Sequence, residues 1–215
     1  VPQPRAAIGS MAIPLLVILE RIGLFPGATH WIDLAVLQLR RRREELLSAA
    51  SPAAAVAEAV GWTVPLVHSS TTLGAAAALR WKTQVNENAK RPAFWALYPE
   101  LCHNEVAGWG GAGVPSPLRG GGRGEDPGLD LTVVNLRHDS EHPQMGRRFA
   151  LVGEVLAEAG AGVCEVWAEG EGELAQLLDL VLIGDFVSLH LAAIAGADPG
   201  PIPVLDRLKA RLQEG

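Results

Sequence analysis

The sequence predicts an α/β fold in which helices cover both faces of a mostly parallel sheet. Three short runs have the length and composition of strands, and helical segments separate them. The runs are apolar at nearly every position, which predicts strands buried on both faces, as in parallel sheets. Hydrophobic residues make up 48% of the 215-residue chain, enough for a large core.

Helices dominate the predicted first part of the chain. Residues 6–23 are predicted to form a helix that Pro14 kinks and Gly23 ends. A second helix is predicted over 32–50, and Ser51-Pro52 starts a third over 53–60. We interpret residues 1–52 as a helical linker and 53–215 as the main domain.

Helices and strands alternate from Trp62 onward. Strands are predicted over 63–68, 131–136 and 162–167, and helices over 73–90, 144–160, 173–196 and 201–213. Before the second strand, residues 110–128 are dense in Gly and Pro and cannot bury apolar area. That stretch is therefore predicted to be a flexible loop.

A hydroxyl-rich turn, residues 69–72, is predicted to link the first strand to the next helix. Free backbone N–H groups and the helix dipole at such a point can bind an anion. Ser69 and Ser70 are therefore candidate substrate-binding residues. The alternative is that the hydroxyls only cap the helix.

Charge and composition argue against nucleic acid as a partner. The net charge is -6, and the one basic block, residues 40–43, directly precedes Glu44 and Glu45. That arrangement favours a salt-bridged helix face over a phosphate-binding surface. Cys102 and Cys164 lack CxxC spacing, so we interpret them as reduced thiols of a cytoplasmic protein.

Two long apolar runs resemble membrane segments by length. Residues 6–25 contain Glu20 and Arg21, and 174–196 contain Asp179 and Asp185. Charges near the middle of a membrane span are costly. Both runs are therefore predicted to be buried helices, with no membrane partner.

Residues 80–109 differ abruptly in composition from their apolar surroundings. Amides, acids, lysines and His103 alternate there with Trp, Phe and Tyr side chains. Such a mixture suits a pocket for a small polar substrate. The alternative is a solvated amphipathic helix followed by a loop.

Several runs resemble the second half of the bifunctional phosphoglucose/phosphomannose isomerases, which are sugar isomerase (SIS) domain proteins. These runs are RWKTQVNENAKRPAFW, ELCHNEVAGW, DFVSLHLA, DP and LKARL. QPRAAIGSMAIPLL is similar to the family's link between its first and second SIS domains. The resemblance implies a SIS-type three-layer αβα sandwich with a flavodoxin-like sheet, preceded by a helical segment. It also implies a first SIS domain upstream, which this chain lacks.

The resemblance also implies roles for individual residues. Glu87 would be the base that moves a proton between C1 and C2, and Arg5 would stabilise the enediolate. Lys209 and His103 would assist ring opening, with His103 reaching the site from the neighbouring subunit of a homodimer. The family's threonine near the C-terminal lysine has no counterpart in residues 198–209, which puts that contact in doubt.

The residues around Glu87 also suit sugar isomerisation on chemical grounds. Aldose–ketose interconversion needs a carboxylate base, a proton donor at the ring oxygen and cations near the enediolate. Asn86 and Asn88 flank Glu87 and could hold its carboxylate or bind substrate. Lys82 is one of three lysines in an arginine-biased chain, so it is a further candidate.

Structural interpretations remain open for the same residues. Glu87 could be a capped surface acid, and His103 a core histidine bonded to backbone. His138 and His142 could suggest a metal pair, but polar residues directly after a strand more often form a solvated loop. We therefore expect neither metal nor cofactor.

The leading hypothesis is aldose–ketose isomerisation of a hexose 6-phosphate by a metal-independent cis-enediol mechanism. Glucose 6-phosphate or mannose 6-phosphate would be converted to fructose 6-phosphate. The alternative is a sugar-phosphate-binding or regulatory SIS module without turnover, or an inactive isomerase fragment. Glu87 and His103 together oppose that alternative, since binding alone needs neither a base nor a ring-opening acid.

Overall fold

The computed structural model describes residues 4–110 and 130–214 and confirms the predicted fold class. A parallel four-stranded sheet has the order β2-β1-β3-β4. The strands are β1 (Val64–Ser70), β2 (Phe94–Tyr98), β3 (Leu131–Arg137) and β4 (Gly162–Trp167). This order is that of a flavodoxin-like sheet. The predicted loop over 110–128, apart from Gly110, lies outside the described residues.

The helices of the described chain follow the predicted order, but α2 begins and ends four residues before its predicted bounds of 32–50. The N-terminal part holds α1 (Ile8–Arg21), α2 (Ala28–Leu46) and α3 (Pro52–Val60). The remaining helices are α4 (Thr71–Gln84), α5 (Met145–Glu158), α6 (Glu173–Ile194) and α7 (Pro203–Gln213).

Two hydrophobic cores lie on opposite faces of the sheet and produce the three layers. Val67, Val134 and Leu136 project from the strands toward α3, α4 and α6. Val133 and Phe149 belong to the second core, beneath α5. Alternate residues of a strand point to opposite faces, so each buried strand supplies both cores.

The helix α6 passes through the larger core. By length and composition it could cross a membrane, with a mean hydropathy of 2.0, yet 56% of that window is buried inside the protein. Its residues pack against α2, α3 and α4. A buried core helix explains its composition, since packing all around a helix favours apolar residues on every side.

The strand β2 was missed by the sequence analysis, which attributed its aromatic residues to a substrate pocket. β2 is an edge strand paired only with β1 among the described strands. Its first residues are open to solvent, Phe94 at 56% and Trp95 at 36% exposure. A short, half-exposed edge strand lacks the long apolar run that identified the three other strands.

The predicted turn over 69–72 needs correction. β1 continues through Ser69 and Ser70, and α4 begins at Thr71, whose φ is 63°. Ser69 donates a hydrogen bond to the carbonyl of Leu136 at 2.9 Å. The strand extends through the serines because Ser69 and Ser70 pair with Leu97 and Tyr98 of β2, which the local sequence could not show.

The helix predicted over 73–90 changes its geometry near its end. α4 stops at Gln84, and a π-helical turn follows over Val85–Ala89. Lys90 then ends the turn in the left-handed conformation, with φ 58°. Single π turns within helices are frequent at functional sites, and this one carries Glu87.

Both cysteines are free thiols, as the sequence analysis interpreted them. Burial raises the pKa of the Cys164 thiol to about 11. That thiol is therefore protonated near neutral pH and is a weak nucleophile.

A buried ion pair joins α2 to α6. Arg42 donates from Nε and Nη2 to the two carboxylate oxygens of Asp179, at 2.8 and 2.9 Å. Gln38 donates to the same carboxylate at 2.8 Å, and so does the backbone N–H of Glu169 at 2.9 Å. Burial alone would lower the pKa of Arg42, but the bonds and charge of Asp179 outweigh it and raise that pKa.

Asp179→Ala is expected to lower the free energy of unfolding by about 3 kcal/mol, because it leaves the buried Arg42 cation with only the partly exposed carboxylates of Glu45 and Glu169 as partners. Asp179 is 0% exposed and Arg42 is 5% exposed. Urea unfolding followed by circular dichroism measures the loss. The matched control is Glu44→Ala, which removes an exposed ion pair with Arg43 and should cost no more than about 1 kcal/mol. Equal, small losses of unfolding free energy in both variants would contradict the stabilising role of the buried Arg42–Asp179 pair.

Candidate active site

A cavity of about 330 Å³ collects three of the residues that the sequence analysis assigned to catalysis. Arg5, Glu87 and Lys209 all line it. They come from the N-terminal 3₁₀ turn, the π-helical turn and α7 respectively. The remaining lining residues are Pro4, Gly200, Pro201, Ile202, Leu205 and Asp206.

The guanidinium of Arg5 is held in place by several acceptors. Its Nε donates to Asn88 Oδ1 at 2.9 Å, and its Nη2 donates to the carbonyls of Pro199 and Gly200, the latter at 2.8 Å. The side chain is 11% exposed, and its Nη1 lies 3.5 Å from Glu87 Oε2. A fixed cation thus faces the carboxylate at the cavity.

A second group of contacts holds the backbone beside Arg5. Arg80 donates from Nη2 to the carbonyl of Arg5 at 2.5 Å. The same guanidinium pairs with Asp185 through bonds of 3.0 and 2.9 Å. Gln84 also donates to Asp185, at 2.8 Å. The N-terminal turn is therefore attached to α4 and α6.

The carboxylate of Glu87 stays accessible at the cavity. Its side chain is 38% exposed. Lys90 donates to the carbonyl of Glu87 and so closes the π-helical turn. Burial lowers the pKa of Lys90 most, and the positive charge of Arg5 lowers it further. The turn therefore presents an accessible acid close to two cations.

Asn86 and Asn88 bond to the protein around Glu87. Asn86 donates to the carbonyl of Arg91 at 2.7 Å. Asn88 accepts from Arg5 and donates to Ser188 Oγ at 2.8 Å. Within the described chain both amides shape the turn, and neither lines the cavity.

Lys209 lies on the last helix, α7, which buries none of its residues. Asp206, one turn earlier, lines the same cavity. The lysine thus provides an amine at the rim of the cavity that Arg5 also lines. Its flexible stem can reach a ligand as a point charge.

His103 lies elsewhere in this chain. It follows the 3₁₀ turn Glu100–Cys102, is exposed, and is not among the residues that line the cavity. Its backbone N–H donates to the carbonyl of Glu100 at 2.9 Å. The structure therefore does not bring His103 to Glu87 within one chain.

Ser69, Ser70 and Lys82 also do not line this cavity. Ser69 and Ser70 are 0% and 1% exposed, so a solute cannot reach their hydroxyls in this structure. Lys82 lies on α4, half-buried. These three residues are therefore separate from the cavity that Arg5, Glu87 and Lys209 line.

His138 and His142, the two histidines that the sequence analysis weighed as a metal pair, follow β3. Across residues 4–110 and 130–214, no group of three or more His, Cys, Asp or Glu side chains is arranged to hold a metal ion. His138 is buried instead, with Nε2 3.0 Å from Thr71 Oγ1 and 3.2 Å from the carbonyl of Ser70.

Sequence reasoning missed the groups that hold Arg5. The carbonyls of Pro199 and Gly200 and the Arg80–Asp185 pair have no local sequence signal. Their partners lie far apart in the chain, so only the fold brings them together. The one available signal was Asp185, one of two aspartates in a largely apolar helix.

The site can supply three chemical functions. A partly exposed carboxylate can accept and return a proton, a rigid guanidinium can stabilise an oxyanion, and an amine can donate a proton or bind an anion. Together with a flavodoxin-like parallel sheet, these residues define a doubly wound α/β domain with a candidate acid–base site.

The family follows from comparison with known proteins. The family described as bacterial phospho-glucose isomerase C-terminal SIS domain matches residues 49–212, and the chain belongs to that family. A bifunctional phosphoglucose/phosphomannose isomerase of Caldicellulosiruptor bescii is 30% identical over 99% of this chain and 60% of its own length. One from Aquifex aeolicus is 32% identical over 80% of this chain and 49% of its own length.

The chain therefore spans about half to 60% of the length of these curated relatives. The fold is also that of a solved glucose-6-phosphate isomerase like protein from Thermus thermophilus. The TM-score is 0.70 at 23% identity, over 97% of this chain and 63% of the other. The expected SIS-type sandwich is thereby confirmed.

Proposed function

We propose that this chain carries the proton-transfer residues of an aldose–ketose isomerase acting on hexose 6-phosphates. Glucose 6-phosphate or mannose 6-phosphate would be interconverted with fructose 6-phosphate. The family assignment and the activity for which the relatives are named support this class of substrate. The observation that carries the proposal is the meeting of Arg5, Glu87 and Lys209 at one cavity.

The proposed reaction uses a cis-enediol and needs no metal. The carboxylate of Glu87 removes the C2 proton of the open-chain aldose, and the electron pair forms the C1–C2 double bond of an enediolate. Return of that proton to C1 gives the ketose, while a hydroxyl proton moves from O2 to O1. Arg5 lies 3.5 Å from Glu87 and stabilises the enediolate oxygens as their negative charge develops.

Ring opening requires a proton donor and a proton acceptor at the hemiacetal. We assign Lys209 and His103 to this step. Because His103 does not line the cavity in its own chain, the proposal places it in the site of a second copy, within a homodimer. An N-terminal SIS segment would supply the loop that binds the phosphate of the substrate. The expected cellular compartment is the cytoplasm.

The test is to incubate the complete gene product with fructose 6-phosphate and follow the sugar phosphates by NMR. Appearance of glucose 6-phosphate or mannose 6-phosphate supports the proposal. Thermal stabilisation by 6-phospho-sugars without any turnover would favour the alternative, a binding or regulatory SIS module. No turnover and no stabilisation would reject both functions.

A further inference from the structure

We propose that His68 and Glu105 form a positioning pair that fixes the segment carrying His103. Neither residue lines the cavity of Arg5 and Glu87. The proposal rests on the function proposed above, because the pair would act by positioning His103, which that function assigns to ring opening. The pair itself is a feature of the described residues, and its anchoring role can be tested without any activity measurement.

His68 is the buried end of the pair. It lies in the central strand β1, registered between Ala96 of β2 and Asn135 of β3, and is 0% exposed. Its Nε2–H donates to Glu105 Oε1 at 2.7 Å. A hydrogen bond to a carboxylate is stronger than one between neutral groups. The imidazole therefore ties the exposed segment to an interior strand of the sheet.

Glu105 lies two residues after His103 and receives a second contact. Trp109 Nε1 is 3.5 Å from the same Glu105 oxygen, and the Trp109 side chain is buried. The backbone N–H of Glu105 donates to Asn104 Oδ1 at 2.6 Å, which starts the following 3₁₀ turn. One carboxylate thus joins the turn after His103 to the sheet and to the second core.

The other side of His103 is fixed by apolar packing. Leu101, two residues before it, is 1% exposed in the core beneath α5. His103 is thus an exposed residue between a buried leucine and an anchored glutamate. A backbone held on both sides limits the positions that the exposed ring can reach, and a ring-opening group supplied to another subunit benefits from such restriction.

The anchor needs an acceptor oxygen at position 105, because both His68 and Trp109 lie against Glu105 Oε1. If Glu105 is shortened, His68 Nε2 loses its acceptor inside the protein, and a buried donor without a partner is costly. The cost can be relieved only by opening the segment to water. Glutamine at position 105 retains a carbonyl oxygen that can accept from His68 and Trp109, so it should preserve the anchor.

Hydrogen–deuterium exchange tests the anchor directly on the complete gene product. Glu105→Ala is expected to speed amide exchange in the peptide covering residues 99–110 by about tenfold or more. Glu105→Gln should stay close to wild type. The matched control is Glu154→Ala, which removes an acid on α5. Unchanged exchange in Glu105→Ala would overturn the proposal. If Glu105→Ala does not fold, Glu105→Gln decides, and exchange faster than wild type in that variant would also overturn the proposal.

A double-mutant cycle tests whether the pair acts through His103. Glu105→Ala is expected to lower kcat/KM by about tenfold to a hundredfold, with Glu105→Gln restoring most of it. Adding Glu105→Ala to His103→Ala should cause no further loss, whereas a merely structural role would give independent losses. Independent losses overturn the positioning role. If His103→Ala keeps full activity, the role proposed for His103 in ring opening is wrong. The exchange experiment then still tests whether Glu105 anchors the segment.

Discussion

Glu87→Gln is expected to lower the kcat for fructose 6-phosphate isomerisation by about 10³-fold or more, since a positioned general base contributes about 10²- to 10⁴-fold. Glutamine is nearly the same size and retains a carbonyl oxygen, but it cannot accept the C1 proton of the ketose at neutral pH. The side chain is 38% exposed, so the substitution should leave the fold intact. Substrate affinity should change by no more than about threefold, because the proton is moved only in the transition state.

The measurement combines steady-state kinetics with calorimetric binding of fructose 6-phosphate. Asp206→Asn is the matched control, because Asp206 is the other acid that lines the cavity. Its kcat should fall by less than about tenfold, as expected for a residue that changes only the local field. A larger loss in Asp206→Asn than in Glu87→Gln would show that the base was assigned to the wrong carboxylate.

Arg5→Met is expected to lower kcat/KM by about 10²- to 10³-fold, the loss typical of removing one group that stabilises an oxyanion. The substitution removes the cation that lies 3.5 Å from Glu87. It also leaves the carbonyls of Pro199 and Gly200 without this donor. Thermal stability should therefore fall as well, since Arg5 joins the N-terminal turn to the chain before α7.

Arg5→Lys separates the two contributions. Lysine retains the charge but cannot reproduce the bonds from Nε and Nη2, so activity should lie between those of wild type and Arg5→Met. The control is Arg21→Met at the exposed end of α1, which should leave kcat/KM within about twofold. Full activity in Arg5→Met would remove the guanidinium from the mechanism.

The strands and helices were predictable where their apolar runs were long. β4 has its predicted bounds, residues 162–167, and α6 differs from its prediction only at the C-terminal end. β2 was not predicted because it lies at the sheet edge and is partly exposed. The extension of β1 through Ser70 depends on pairing with β2. The run of serines and threonines alone gives no sign of that pairing.

The candidate site was only partly predictable for a different reason. Arg5, Glu87 and Lys209 lie far apart in the chain, and only the family resemblance suggested that they belong together. The structure brings them to one cavity, but the acceptors that orient Arg5 are backbone carbonyls and an asparagine. Backbone carbonyls occur at every residue, so no composition or spacing can reveal which ones are used. The role of His103 remains a prediction.

The central claim is that Arg5, Glu87 and Lys209 bind the reacting end of an open-chain sugar phosphate. A crystal structure of the complete gene product with a five-carbon aldonate 5-phosphate tests it, because the ligand's carboxylate mimics the enediolate. We expect that carboxylate within hydrogen-bonding distance of the Arg5 guanidinium, with Glu87 over the carbon beside it and Lys209 at the ring-opening oxygen. Ligand bound at the N-terminus of α4, with the Arg5–Glu87 cavity empty, would contradict the claim.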